Sequence, residues 1–159
     1  DHGIHAFSKV LEKIPKAKLY IGGKGPEESR LKKLVNDLNI SKSVIFLGFI
    51  LDDELLDYYS SVDIFLSLDW ADFNLTVYES ISAGTKVIVS EEGDFDAVLI
   101  ESGYITKVNP KDSDQISQAL IQAHFSNVQL SDDDVKSVLQ SYTWEDYCTR
   151  IAHIHGFKP

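Results

Sequence analysis

The sequence predicts an α/β fold, a doubly wound Rossmann-like parallel sheet with helices on both faces. Short apolar runs of three to five residues alternate with segments whose apolar residues recur at helical spacing. The runs are rich in Val, Ile, Leu and Phe without polar alternation, the signature of strands buried on both sides. No apolar run approaches the roughly 20 residues that span a bilayer. The 159 residues suffice for one domain spanning 1–159.

Taken in order, Ile4, Phe7, Val10, Leu11 and Ile14 mark a first helix, stopped by Pro15. Residues 17–21 read as a strand that ends in Gly22-Gly23-Lys24-Gly25-Pro26. Leu31, Leu34, Val35 and Leu38 give the next helix, with Pro26 suited to its first turn and Glu27 and Glu28 to the positive end of its dipole. Strand 44–47 is closed by Gly48, and Leu55, Leu56, Tyr58 and Tyr59 mark a helix over 52–61. Strand 64–66, helix 75–83, strand 87–89 and a short helix near 94–101 follow. The chain then runs through a strand at Tyr104-Ile105 to helices at about 112–124, 132–141 and 143–155. Thr143-Trp144-Glu145-Asp146 resembles a capping box. The series opens on a helix, although βαβ units open on a strand, and its first residue is Asp rather than Met. A strand missing upstream and a larger parent protein are therefore expected.

The net charge is −10, unevenly spread: residues 1–43 carry nine basic and five acidic side chains, the remainder six and twenty. That balance excludes a broad nucleic-acid surface, which needs clustered Lys and Arg. One cysteine, Cys148, excludes an internal disulfide and fits the cytoplasm. It reads as core, because nothing near it in sequence would lower its pKa. His153 and His155 lack a Cys or acidic partner at metal-binding spacing, and Asp132-Asp133-Asp134 suits helix capping. No metal or cofactor is expected, and nothing in this domain indicates membrane contact.

Two segments are candidates for chemistry. The turn Gly22-Gly23-Lys24-Gly25-Pro26 lets backbone approach an anion at a helix start, but it is neither a Walker loop nor a full dinucleotide fingerprint. Alone it reads equally as a plain connection. The second segment, Asp69 to Glu79, leaves a strand and enters a helix. Asn74 suits the N-cap, which would leave the amides of Leu75, Thr76 and Val77 as orphan donors for a diphosphate. Glu79, one turn in, is placed either to accept a ribose diol or to sit in solvent. Trp70 is placed either to stack on a sugar or to pack on the sheet edge.

Gly23-Lys24-Gly25-Pro26-Glu27, then Val44-Ile45-Phe46-Leu47-Gly48, then Phe73-Asn74-Leu75 through Glu79 to Ala83-Gly84, resemble in order and spacing the family 4 (group 1) GT-B glycosyltransferases. The resemblance runs from about His2 to Trp144. It implies the C-terminal, donor-binding half of a retaining enzyme that takes a hexose from a nucleotide-diphospho-sugar, with the acceptor pocket on a missing N-terminal domain. By that resemblance Gly23, Lys24 and Gly25 shape the nucleotide end of the cleft, and Phe49 with Ile50 lies against the base. Asp72, Phe73, Asn74, Leu75 and Thr76 hold diphosphate and sugar, and Glu79 binds ribose. No catalytic side chain is implied on this domain, and the isolated domain is expected to be inactive. Three departures stand out. Ala71 replaces the first acid of the Glu-x7-Glu pair, Asp72-Phe73-Asn74 replaces Gly-Phe-Gly, and His2-Gly3 aligns with Lys-Gly. They motivate an alternative, a degenerate GT-B domain that binds a partner or effector.

Overall fold

The computed structural model describes residues 1–69, 74–95 and 97–127. Trp70, Ala71, Asp72, Phe73, the two last expected helices, Asp132-Asp133-Asp134, Cys148, His153 and His155 lie outside the described residues. Helix α1 spans His2–Lys13 and ends where the Ile14 amide returns to the Val10 carbonyl at 2.8 Å, just ahead of Pro15. Among the described residues, five strands and five further helices alternate after it. They are β1 (Leu19–Gly22), α2 (Glu28–Asp37), β2 (Val44–Gly48), α3 (Asp52–Ser61) and β3 (Ile64–Ser67). Then come α4 (Leu75–Ser82), β4 (Lys86–Ser90), α5 (Ala97–Glu101), β5 (Ile105–Val108) and α6 (Ser113–Phe125).

All pairing is parallel, in two ladders. β1 pairs with β2, and β3, β4 and β5 pair in that order. The second ladder is wound on both faces. Val87 and Val89 of β4 join Val77 and Ile81 of α4 and Leu99 of α5 in one buried cluster. Ile88, between them and pointing the other way, joins Ala6 of α1 and Ile116 and Ala119 of α6 in another. This alternation within three residues is why β4 reads as a continuous apolar run.

The ladders differ from one continuous sheet at a single place. Among the described residues, β1 bonds only to β2 and β3 only to β4, so each keeps one unpaired edge. Helix α1 lies across both ladders. Ile4, Phe7 and Val10 pack with Val35, Ile40 and Val44, against which Leu19, Ile21 and Phe46 also rest. Ala6, fully buried, faces the cluster that takes in Ile64, Leu66 and Leu68. No helix among the described residues is long and apolar enough to cross a membrane.

Ile88 is fully buried on the central strand between two helices. Ile88→Ala is expected to cost about 2–5 kcal/mol in urea denaturation, since the cavity cannot collapse between covered faces.

Candidate functional site

Parallel strands gather their carboxyl ends, and with them the helix starts, on one rim. At the end of the first ladder the register slips by one residue, so that Gly22 stands opposite Gly48 rather than Leu47. The Gly23 amide donates to the Gly48 carbonyl at 2.7 Å. Gly23 and Gly48 have φ of +96° and +71°, conformations that side chains resist. The ends are interleaved: a Cβ on Gly48 would lie 3.3 Å from Cε of Lys24, and one on Gly22 would lie 2.8 Å from Cδ1 of Ile50. In front of Gly23 and Gly25 the space is open to 4 Å. Phe49, 66% exposed, stands at the exit of β2. Pro26 falls before α2 rather than in its first turn. It occupies the second position of a turn closed by the Glu28 amide on the Gly25 carbonyl at 3.2 Å, where its fixed φ is favoured.

The second group sits where β3 gives way to α4. Ser67, the last residue of β3 and nearly buried, donates to the Asp69 carboxylate at 2.6 Å. Asn74 occupies the N-cap position, yet its side chain caps no helix amide, unlike the sequence expectation. Its Nδ2 instead donates to Ser67 Oγ at 2.7 Å, and its Oδ1 accepts from the Thr76 hydroxyl at 2.5 Å. The Val77 amide, expected to be free, turns back to the Asn74 carbonyl at 3.1 Å. Two orphan donors remain: the Leu75 and Thr76 amides have no partner among the described residues. They carry the positive end of the α4 dipole and are suited to an anion. Asp72 and Phe73 lie outside the described residues.

Glu79 is exposed on α4 while Val77, Tyr78, Ser80 and Ile81 are buried around it. Its Oε2 accepts a hydrogen bond from the Tyr59 hydroxyl of α3 at 3.3 Å. Tyr59 is itself buried, with its ring edge-on to Phe65 at 5.4 Å and its carbonyl taking the Thr85 hydroxyl at 2.6 Å. Burial first, and the Glu79 charge and hydrogen bond after it, push its phenol up to about 12. Sequence reasoning assigned Tyr59 no role beyond helix periodicity. Its inward position, four residues after Leu55, was the available signal.

The start of α1 ties the two groups to one rim. Arg30, in the first turn of α2, grips both Asp1 carboxylate oxygens at 2.5 and 2.7 Å and also bonds Glu27. Two residues on, a Cβ on Gly3 would touch Leu66 and Leu68 at 3.5 and 3.4 Å. The carboxyl ends of both ladders therefore meet the same end of α1. A hollow of about 190 Å³ lies instead at the amino ends of β4 and β5. There Lys86 Nζ is spent on the carbonyls of Ala123 and Ser126 at the end of α6, at 2.9 and 2.5 Å.

A family model described as glycosyl transferases group 1 matches residues 1–133. The chain belongs to that family. An uncharacterised glycosyltransferase of Methanocaldococcus jannaschii, MJ1607, is 28% identical over 98% of this group 1 chain, which spans 40% of that relative. Among solved structures, the C-terminal domain of the group 1 glycosyl transferase LpcC from Francisella tularensis superposes with a TM-score of 0.75 at 23% identity, covering 90% of this chain and 78% of that one. Anabaena HepE, solved in complex with UDP, gives 0.68 at 16% identity over 96% of this chain and 44% of its own. These likenesses support the α/β GT-B fold.

Two outcomes test this geometry. Gly48→Ala is expected to destabilise the group 1 domain by about 1–2 kcal/mol in urea, combining positive φ with the contact at Lys24. The Tyr59 phenol ionises near 10 when unfolded and near 12 when folded. The stability it contributes is complete below pH 10 and lost as pH rises towards 12. The stability gap between wild type and Tyr59→Phe should therefore narrow as pH rises from about 10 towards 12.

Proposed function

We propose that this chain is the donor-binding half of a retaining glycosyltransferase that transfers a hexose from a nucleotide-diphospho-sugar. One observation carries the reading: the amides of Leu75 and Thr76, without a partner among the described residues, open the same helix that presents the Glu79 carboxylate one turn later. A diphosphate would take the amides, together with the stretch Asp72, Phe73 and Asn74, and a ribose diol would take Glu79. The base would lie beside Phe49, over the open turn at Gly23, Lys24 and Gly25. The UDP bound by HepE makes uridine diphosphate the first probe.

Glycosyl transfer develops positive charge at the anomeric carbon and negative charge on the departing diphosphate. Preorganised amides at a helix start stabilise the second without a covalent protein intermediate. The reading places the acceptor pocket on an N-terminal domain, so the chain alone would bind donor and transfer nothing. It also places a strand from upstream of Asp1 between β1 and β3, which would pair both free edges and give the order β2-β1-new-β3-β4-β5. The position of α1 across both ladders supports this, since a crossover helix packs beside the strand it follows.

Calorimetric titration with UDP, GDP and ADP tests the proposal. One of them is expected to bind, and Glu79→Ala to weaken it about tenfold, or about 1.4 kcal/mol. A folded chain that binds none at millimolar concentration overturns it. Ala71, in place of the family's first acid, favours a second reading as a degenerate partner-binding domain. Nucleotide binding indifferent to Glu79→Ala would support that one.

A further inference from the structure

Glu79 is an exposed side chain with three rotatable bonds, a poor instrument for holding a diol unless something fixes it. The structure supplies a fixed point. Tyr59 is 6% exposed, and Phe65 and Thr85 hold its ring and its carbonyl. Both belong to the β3–α4–β4 frame rather than to α3, so the phenol is referenced to the scaffold that carries Glu79. Its hydroxyl reaches Oε2 only, and Oε1 has no partner among the described residues. A carboxylate offers about four acceptor positions, so one taken by Tyr59 leaves enough for two vicinal hydroxyls.

We propose that Tyr59 is a positioning residue that locks the Glu79 carboxylate in the orientation that receives the ribose diol of the nucleotide. The inference rests on the donor-binding reading above. Ordering Glu79 in advance, even through one long hydrogen bond of 3.3 Å, removes part of a cost that binding would otherwise carry.

The test compares UDP with 2′,3′-dideoxy-UDP, which lacks the diol, in calorimetric titrations of the 159-residue chain and its Tyr59→Phe variant. The variant is expected to bind UDP about three- to tenfold more weakly and the dideoxy ligand as tightly as wild type does. Equal losses with both ligands would mean a purely structural tyrosine and overturn the inference while leaving the donor-binding reading intact. A folded wild type that binds neither ligand removes that reading, and the inference with it. A measurement on unmutated protein covers the case in which the variant does not fold. The ¹³Cζ resonance of Tyr59, assigned through its contact with Phe65, should move on adding UDP and stay still with dideoxy-UDP. Equal movement, or none, with both saturating ligands overturns the proposal.

Discussion

The fold depends on one helix that belongs to two ladders at once. Helix α1 turns Ile4, Phe7 and Val10 towards β1, β2 and α2, and the fully buried Ala6 towards β3, β4 and α6. A residue as small as alanine at position 6 lets α1 pack closely on α6, while the larger side chains fill the space over the first ladder. The bond between the ladders is thus hydrophobic and shape-dependent, with no backbone pairing across it among the described residues. Burial of this kind contributes about 1.5–3 kcal/mol per large side chain, which is how a junction without backbone pairing between the ladders holds.

That junction also sets the rim. Arg30 draws the starts of α1 and α2 together through Asp1, and Gly3 lets the start of α1 settle on Leu66 of β3 and on Leu68 just after it. Both Arg30 and Asp1 are substantially exposed, so this ion pair adds little stability. Its effect is geometric: helix starts with positive dipole ends are brought towards one region, where an anion gains from each of them.

Most of the fold was legible because the strands are apolar without alternation and the helices keep their period. Helix 52–61 was read to its ends from the spacing of Leu55, Leu56, Tyr58 and Tyr59. What stayed hidden depends on through-space partners. Asn74 is a favoured cap residue, but the Ser67 hydroxyl and Asp69 carboxylate, five to seven residues back, compete for its side chain and win. The pairing of Tyr59 with Glu79 spans twenty residues and two helices, and no spacing rule reaches that far. The split between the ladders escaped as well, because an alternating pattern counts strands without saying which neighbours they bond.

The polar residues at the strand ends explain how a rigid core carries an adaptable rim. β3 and β4 each finish on a serine, Ser67 at 7% and Ser90 at 1% exposure. Each spends its hydroxyl on the loop that leaves it: Ser67 donates to Asp69, and Ser90 accepts from the Glu92 amide at 3.2 Å. A buried hydroxyl without a partner is costly, so these contacts are obligatory, and they pin each loop at its root. Beyond the roots the side chains of Leu75 and Glu92 are exposed. The crevice floor is therefore set by the sheet and its anchoring serines.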